Sequence, residues 1–370
     1  MRAGKAALGL MLGIPALWSA DDLWVNPLFK PLAVDRRGFG TSLLALEGGR
    51  LMTVDGNAVI ISSDDGRTWP ESRTIYNGPD ADKPGRGIPS GNGQLFKTAA
   101  SALVLVWRDT GILNWDFEAG EPGPYSRGDV WSIRSLDGGQ TWIDRQVVFE
   151  GTYGHAPINM IQTRSGGLIV PVQYYVRKPG RLVVCTYASV DNGKTWRQSN
   201  VIDLGGHGDH DGAFEPVLVE LKDGRIWMLI RTSWDRFWEA FSEDSGLSWR
   251  VIRPSSIEAS TSPAYITRLA SGRLVLVWNR LYPEGQNTYE RQSGHFSSVP
   301  ASWHREELSI AFSEDEGQTW SAPAIIARRK HGWIAYPYVF ERAPGLLWIF
   351  TGSGELKVSV RETDLVWWKK

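Results

Sequence analysis

An eight-residue phrase, Ser-x-Asp-x-Gly-x-Thr/Ser-Trp, occurs five times in this chain of 370 residues. Its copies begin at Ser62, Ser135, Ser189, Ser242 and Ser313. Each defined position suits a tight β-turn, because Asp accepts hydrogen bonds from backbone N–H groups, Gly adopts positive φ and hydroxyls bind nearby main-chain groups. The Trp adds a large apolar surface that covers the hairpin. The phrase is therefore predicted to be structural, and its Asp residues are not candidates for catalysis.

The spacing of the phrase predicts a radial array of small antiparallel sheets. Successive copies start 73, 54, 53 and 71 residues apart, and repetition at such a period is typical of a β-propeller. Each repeat can be divided into four strands. For blade 1 these are predicted at 41–46, 50–54 and 58–62, with a closing strand near Thr74. The first strand of blade 2 is obscure, although 103–107 is clearly a strand.

A sixth blade is predicted from residue 336 to about residue 366, where the phrase is missing. Its fourth strand is expected to come from the N-terminal stretch at 23–25. This arrangement would close the ring and leave no open sheet edge between the last blade and the first. The fold class predicted is all-β, a six-bladed β-propeller.

The composition limits the classes of partner. The net charge is −1 and basic and acidic residues are interspersed, so neither nucleic acid nor an anionic membrane surface is indicated. Residues 1–20 resemble a secretory signal, with a basic start and an apolar run too short to span a bilayer. Cleavage after position 19 or 20 is expected to leave a single domain at 21–370. We predict a secreted or periplasmic monomer without a membrane span, and Cys185 is the only cysteine.

Antiparallel strand order sorts the connections of the propeller into two faces. The repeated phrase and the turns between first and second strands fall on one face, where all connections are short. The other face carries the long loops at 109–129, 232–238 and 279–305. Long loops on a rigid scaffold are where binding and chemistry usually lie, so the search for a site is confined to this loop face.

Four ionisable side chains are predicted to lie at strand ends on the loop face. Glu215 and Arg231 flank a predicted hairpin, Arg305 precedes an apolar strand, and Tyr336 begins the inner strand of blade 6. Glu215 and Arg231 are expected to be neighbours at the open end of their hairpin. A structural ion pair is the alternative interpretation of these two residues.

This pattern resembles the exo-sialidases (neuraminidases) over nearly the whole chain after residue 35. The five phrases are similar to that family's Asp-boxes, which also occur in non-enzymatic propellers. Three spacings are more specific: Glu215 lies 16 residues before Arg231, Arg305 lies 8 before the last box, and Tyr336 lies 9 before Gly345. The resemblance implies a glycoside hydrolase that removes terminal sialic acid, or a related 2-keto acid sugar, from glycoconjugates.

The resemblance also implies a role for each residue. Arg231 and Arg305 would hold the sugar carboxylate through charge-assisted bonds. Tyr336 would be the nucleophile and Glu215 would take its proton, since a neutral phenol avoids the repulsion that a carboxylate nucleophile would meet. Tyr nucleophiles are an accepted exception among glycosidases. The expected reaction retains the anomeric configuration.

Two further parts of the family pattern are harder to place. The first clamp arginine is assigned to Arg37, with Arg36, Arg86 and Arg108 as alternatives. In each case the expected partner is the substrate carboxylate.

The acid/base carboxyl is assigned to Asp55, which stands in an Asp-Gly hairpin typical of a simple turn. The alternatives are acids of the long blade 2 loop, namely Asp116, Glu118, Glu121 and Asp129. Either choice would supply the proton for the leaving oxygen.

Other polar residues of this face could bind sugar hydroxyls. The candidates are His155, Asn159, Gln173 and His210, with loop capping as the alternative. Stacking on a sugar ring is possible for five tryptophans, although packing is the simpler role for each: Trp115, Trp234, Trp238, Trp303 and Trp333. No metal site and no cofactor is predicted, because the run at 207–211 has no distant ligand set beside it.

Three hypotheses of function follow. The first is an exported exo-glycosidase acting on sialic acid or on a related sugar such as Kdo or pseudaminic acid. The second is a non-catalytic glycan-binding propeller that has the scaffold without the acid. The third is a protein-interaction propeller, which would need an exposed apolar patch.

Overall fold

Short runs of alternating or continuous apolar residues form strands throughout the chain. The computed structural model describes residues 22–35, 42–79, 87–89, 93–109, 114–116, 119, 121–152, 158–293 and 299–365. The predicted signal segment at 1–20 lies outside the described residues. The only α-helix in the described part is α1 (Glu362–Leu365), and no described helix has the length and apolar character needed to cross a membrane.

Two short strands precede the first blade, β1 (Leu23–Val25) and β2 (Lys30–Pro31). A 3-10 turn at Glu47–Gly49 separates the first two strands of blade 1. The strands of blade 1, in sheet order, are β3 (Leu44–Ala45), β4 (Leu51–Asp55), β5 (Ala58–Ser62) and β6 (Glu71–Thr74). Blade 2 contains β7 (Gln94–Lys97), β8 (Leu103–Arg108), β11 (Val130–Ser135) and β12 (Ile143–Phe149), with a small hairpin between them of β9 (Trp115–Asp116) and β10 (Glu121–Pro122). Blade 3 contains β13 (Ile161–Gln162), β14 (Leu168–Val176), β15 (Arg181–Ser189) and β16 (Arg197–Gln198).

The second half of the chain repeats this plan. Blade 4 contains β17 (Phe214–Glu220), β18 (Ile226–Arg231), β19 (Arg236–Ser242) and β20 (Val251–Glu258). Blade 5 contains β21 (Tyr265–Arg268), β22 (Leu274–Trp278), β25 (Glu307–Ser313) and β26 (Ala324–Arg329), with a hairpin of β23 (Arg291–Gln292) and β24 (Ala301–Ser302) in its long loop. Blade 6 contains β27 (Ala335–Ala343), β28 (Leu346–Ser353) and β29 (Lys357–Arg361). The predicted six-bladed β-propeller is confirmed.

The strand that completes blade 6 differs from the prediction. The stretch Leu23–Val25 was expected there, but β1 pairs with β26 as a fifth strand of blade 5, and β2 pairs with β29 instead. Asn26 fixes the crossing, since its side-chain amide donates to the carbonyl of Ile325 at 2.9 Å. Phe29 then packs, 2% exposed, in the core between blades 5 and 6. The N-terminal stretch therefore joins two blades.

The repeated phrase forms the turn that its residues predict. In the second copy the Ser135 hydroxyl donates to Asp137 Oδ1 at 2.8 Å, and Gly139 N donates to Ser135 Oγ at 2.8 Å. Thr141 donates to the same carboxylate from its backbone N–H at 2.9 Å and from its hydroxyl at 2.5 Å. These bonds, the Thr141 hydroxyl first, lower the pKa of Asp137 to about 2. The carboxylates of the other copies accept the same contacts, at Asp64, Asp191, Asp244 and Asp315.

The core of the protein lies between the blades. One cluster of buried apolar side chains fills each junction between neighbouring blades, including the junction of blade 6 with blade 1, where Trp348 and Phe350 meet Leu51 and Trp69. The boxes add to these junctions. A Cβ on Gly317 would lie only 2.4 Å from the Trp227 ring of the preceding blade, and its φ is +82°. Close packing of the blades holds the loop face rigidly.

Candidate functional site

Four of the residues singled out in the sequence meet at the loop face of the ring. The Tyr336 hydroxyl donates to Glu215 Oε1 at 3.0 Å. Arg231 Nη1 donates to Glu215 Oε2 and forms an ion pair with it. The Arg305 guanidinium carbon lies 5.6 Å from the centre of the Tyr336 ring. Glu215 belongs to blade 4 and Tyr336 to blade 6, so these contacts join blades that are not neighbours.

Blade 4 presents Glu215 and Arg231 from the open end of a hairpin. Phe214 in β17 pairs with Arg231 in β18, and the register shifts between Phe214 and Val217. This irregularity contains Glu215, whose φ is +43°. The backbone N–H of Glu215 donates to the side-chain oxygen of Gln173 at 2.5 Å. A bulge of this kind re-aims a side chain, and here it aims Glu215 at blade 6.

Blade 6 presents Tyr336 in a similar way. Its φ is +58° although it lies near the start of β27. The facing strand provides space through Gly352, since a Cβ there would lie 3.1 Å from the Cβ of Tyr336. Non-glycine residues with positive φ are uncommon and cluster at functional sites. Both members of the Tyr336–Glu215 pair belong to this class.

Arg305 lies among aromatic rings. Its guanidinium carbon is 4.6 Å from the centre of Trp333 and 5.1 Å from that of Trp303. The Trp303 and Trp333 rings are nearly parallel, with centroids 6.2 Å apart. Arg305 Nη2 donates to the carbonyl of Thr261 at 2.7 Å, and its buried Nε has no hydrogen-bond partner among the described residues. Arg305 is 2% exposed and Trp333 is 45% exposed, so Trp333 lies at the surface over a buried guanidinium.

Burial and charge shift the acidity of two groups in opposite directions. Burial, followed by the Glu215 charge, raises the pKa of Tyr336. Burial, followed by the charge of Arg231, lowers the pKa of Arg305 to about 10. The phenol is therefore neutral and the guanidinium is charged near neutral pH. This arrangement can place a neutral hydroxyl nucleophile beside a proton acceptor and beside cationic groups that attract an anion.

The remaining candidates have different surroundings. His210 stands beside the cluster, with its ring 5.5 Å from Trp303 and 5.8 Å from Phe214. Its Nδ1 is 3.1 Å from the buried Asp209 carboxylate. Gln173 holds the backbone of Glu215, as described above. Contacts of His210 and Gln173 with a sugar stay predictions.

The structure describes four of the five candidate acid/base residues. Asp55 ends β4 as an exposed side chain of a two-residue hairpin on the loop face. Among the alternatives, Asp116 accepts from Ala119 N at 3.0 Å, Glu121 pairs with Arg177 at 3.0 Å, and buried Asp129 pairs with Arg127 at 2.7 Å. Each of these three loop acids therefore already has a hydrogen-bond or ion-pair partner. Glu118 lies outside the described residues, and the assignment of Asp55 stays a prediction.

The candidates for the first clamp arginine, and His155, fall mostly outside the described part of the chain. Arg36, Arg37, Arg86 and His155 lie outside the described residues. Arg108 is the last residue of β8, at the loop-face end of blade 2. The first clamp arginine therefore stays a prediction.

The loop before Glu215 is organised by its own acid. Asp211 accepts from the backbone of His207 at 2.8 Å and of Gly212 at 3.0 Å, and from Trp234 Nε1 at 3.0 Å. Within the described part of the chain, no group of three or more His, Cys, Asp or Glu side chains could hold a metal ion. The loop is a structured wall of the site.

Thr261 is a member of the cluster that sequence reasoning missed. Its side chain accepts from Arg231, and its carbonyl accepts from Arg305. Thr261 lies in a Ser-Thr-Ser run between blades 4 and 5. No pattern in the sequence marks it, because a threonine in a connection between blades has no characteristic spacing.

A separate pocket of about 460 Å³ lies between blades 4 and 5. Trp278, Arg280 and Tyr282 contribute to its walls, whereas Glu215 and Tyr336 do not. Arg231, Thr261 and Arg305 do not line it either. The cluster around Glu215 is therefore the stronger candidate site.

Comparison with known proteins supports the predicted family and fold independently of the site's geometry. A sequence model described as a BNR repeat-like domain matches residues 58–349. A sialidase of Micromonospora viridifaciens is 25% identical over 365 aligned residues, which cover 87% of this chain and 52% of the sialidase. The chain thus spans about half the length of this curated relative.

Several solved structures share the fold. A protein of unknown function from Dyadobacter fermentans superposes with a TM-score of 0.60 at 14% identity, covering 91% of this chain and 98% of that one. An intramolecular trans-sialidase from Ruminococcus gnavus, solved with oseltamivir carboxylate, gives a TM-score of 0.57 at 14% identity, covering 92% and 98%. The NanB sialidase of Streptococcus pneumoniae gives 0.57 at 13% identity, covering 92% and 71%.

Proposed function

Because the chain belongs to the BNR repeat-like domain family, we propose that it is an exo-glycosidase that removes a terminal 2-keto acid sugar, with sialic acid first among the candidates, from glycoconjugates. The curated relative is a sialidase. Two solved relatives of the same fold are a sialidase and an intramolecular trans-sialidase. These relatives support the substrate class, and the arrangement of side chains in this chain supports the chemistry.

One observation carries the proposal, the contact between Tyr336 and Glu215. A phenol held at 3.0 Å from a carboxylate oxygen has its proton acceptor in place. Burial raises the pKa of Tyr336, so the free phenolate is rare at neutral pH and proton transfer must accompany attack. The same carboxylate is held by Arg231. Arg231, Glu215 and Tyr336 therefore form a continuous chain of contacts.

In the proposed reaction, Arg305 attracts the sugar carboxylate and Tyr336 Oη attacks C2. The C2–Oη bond forms, the bond to the leaving oxygen breaks, and Glu215 takes the phenolic proton. Asp55 is proposed to protonate the leaving oxygen and then to deprotonate water. That water attacks C2, and Tyr336 leaves with its proton returned from Glu215. Two displacements retain the configuration at C2.

The remaining roles follow the sequence assignments. Arg37 and Arg231 are proposed as the further arginines that contact the substrate carboxylate, and His155, Gln173 and His210 as residues near the sugar hydroxyls. Residues 1–20 are proposed to direct export to the periplasm or medium. N-terminal sequencing of the protein recovered from each cell fraction tests the export proposal, and an intact residue 1 in the cytoplasm would contradict it.

The test of activity is the release of 4-methylumbelliferone from its α-sialoside, with Kdo and pseudaminic acid glycosides assayed in parallel. We expect wild-type turnover and at least a hundredfold loss in Tyr336→Phe, because the nucleophilic oxygen is removed. Tyr338→Phe is the matched control, since it removes a phenolic oxygen two residues along β27 that contacts Leu43 instead. Tyr338→Phe is expected to retain activity.

The same experiment separates the competing hypotheses. Equal activity of Tyr336→Phe and wild type would overturn the assigned nucleophile. Absence of turnover on all three glycosides, together with retained binding of a sialylated glycan, would favour the glycan-binding propeller. Anomeric configuration of the first product, followed by NMR, checks the retaining course.

A further inference from the structure

Thr261 contacts both guanidinium groups of the site. It is 2% exposed and lies in the connection from β20 to β21. Arg231 Nε and Nη2 approach its hydroxyl oxygen at 3.3 Å and 3.2 Å. Arg305 Nη2 donates to its backbone carbonyl at 2.7 Å. A single residue thus meets two cations that come from different blades.

The direction of each hydrogen bond around Thr261 can be derived from proton counting. The Ser233 hydroxyl lies 2.6 Å from the carbonyl of His210, which can only accept, so Ser233 donates its one proton there. Ser233 Oγ also lies 3.2 Å from Thr261 Oγ1. Since the Ser233 proton is used, Thr261 must donate to Ser233. Both lone pairs of Thr261 Oγ1 then remain for the two N–H groups of Arg231.

This arrangement fixes the orientation of Arg231. A guanidinium is planar, and Nε and Nη2 lie on one edge of it. Because Thr261 binds that edge, Nη1 is left to donate to Glu215 Oε2. The Arg231 side chain is 0% exposed, so no water takes over the contact if the guanidinium turns. Rotation would remove the charge partner of the carboxylate that contacts Tyr336.

We propose that Thr261 is a positioning residue that sets the orientation of Arg231 and Arg305, and through Arg231 the position of Glu215. This inference rests on the proposed function for its kinetic consequences, but not for its structural ones. The side chain acts on Arg231 and the main chain on Arg305. Side-chain replacement therefore tests the Arg231 half directly.

The kinetic experiment compares three variants with wild type. Thr261→Val keeps the shape and removes the acceptor, and we expect kcat to fall about 10-fold to 100-fold, since misplacement near 1 Å can cost 10²-fold. Thr261→Ser restores the hydroxyl and is expected to retain at least half of the wild-type kcat. Thr186→Val is the matched control. That buried hydroxyl also accepts from a side-chain N–H, of Trp249, and donates to a carbonyl, of Gly246.

The split between kcat and KM distinguishes positioning from stability. We expect Thr261→Val to lower kcat more than it raises KM, because Glu215 and Tyr336 act in the chemical step. Thr186→Val is expected to lower the unfolding temperature while kcat and KM of the folded enzyme stay unchanged. Equal kinetic behaviour of the two Val variants, or failure of Thr261→Ser to restore kcat, would overturn the proposal.

A crystallographic readout keeps the inference independent of activity. Crystals of Thr261→Val are expected to show a turned Arg231 guanidinium with Nη1 away from Glu215, whereas Thr261→Ser keeps the wild-type arrangement. An unchanged Arg231 in Thr261→Val would overturn the positioning role whether or not the enzyme is active. An inactive wild type with a turned Arg231 in Thr261→Val would instead contradict the proposed function and leave the positioning role supported.

Discussion

The ion pair between Arg231 and Glu215 predicts a large and strongly coupled effect on stability. Both side chains are buried, with exposed fractions of 0% and 6%. Removing one partner of a buried pair leaves the other charge uncompensated and costs about 3–5 kcal/mol. Two single variants, Glu215→Gln and Arg231→Met, and their combination isolate the pair from the rest of the fold.

The surroundings predict which single change is worse. Glu215→Gln leaves Arg231 facing a second cation, and repulsion between the two is already a cause of the lowered pKa of Arg305. Arg231→Met leaves Glu215 with the Tyr336 hydroxyl as a donor and with the attraction of Arg305. We therefore expect Glu215→Gln near the upper end of the range and Arg231→Met near the lower end.

The combined variant removes both charges, so its loss of stability is expected to be no larger than that of Glu215→Gln alone. Independent effects would add to about 6–10 kcal/mol, and the coupling free energy is therefore expected to be at least about 3 kcal/mol. Urea unfolding followed by the fluorescence of the 19 tryptophans measures all four proteins. If the two single losses of unfolding free energy add to the combined loss within about 0.5 kcal/mol, the view that Glu215 and Arg231 are buried charges that depend on each other is refuted.

Three further predictions concern the scaffold and the support of the site. Asp137→Ala removes a carboxylate whose folded pKa of about 2 lies below its ordinary 3.8, so its stabilisation of the fold is present above about pH 4 and is lost as pH falls toward 2. The difference in unfolding free energy from wild type, measured by urea unfolding at each pH, should shrink in that window, and a constant difference would contradict this. Gly317→Ala should destabilise by at least about 2 kcal/mol through positive φ plus a clash, whereas Gly272→Ala, with φ of +86° in open space, should lose only about 1 kcal/mol; equal losses in urea unfolding would contradict the clash. Gln173→Met removes the acceptor for the backbone N–H of Glu215, and we expect kcat to fall about tenfold, as for one lost hydrogen bond of about 1.4 kcal/mol. An unchanged kcat would argue against a supporting role of Gln173.

The scaffold was predictable because its signals are local and repeated. Each box binds its own turn through contacts within four residues, as Ser135, Asp137 and Thr141 do. Five copies set the blades, and the predicted resemblance to the sialidase propellers is confirmed for the family and the fold. The spacings singled out four candidate residues, and the structure brings Glu215 and Tyr336 together.

The failures have a different physical origin. The stretch Leu23–Val25 could add to either of two neighbouring sheet edges, and a three-residue strand does not choose between them. The choice depends on Asn26 and Phe29, whose partners lie about 300 residues away in the sequence, as the bond from Asn26 to Ile325 shows. Thr261 was missed for the same reason, because its importance comes from two arginines contributed by other segments.

The backbone at Glu215 and Tyr336 bears on whether their contact is merely structural. Positive φ at an ion-paired acid is not by itself a mark of function here, since Asp235 and Glu316, which lie outside strands with φ of +67° and +64°, also pair with arginines. Glu215 and Tyr336, by contrast, lie within β17 and β27 with φ of +43° and +58°. That conformation costs about 1–3 kcal/mol for each residue. An ion pair with Arg231, the adjacent strand partner, does not require it. What the strained backbone achieves is the approach of a carboxylate from blade 4 to a phenol from blade 6 across the mouth of the ring, and that approach is the contact on which the proposed chemistry depends.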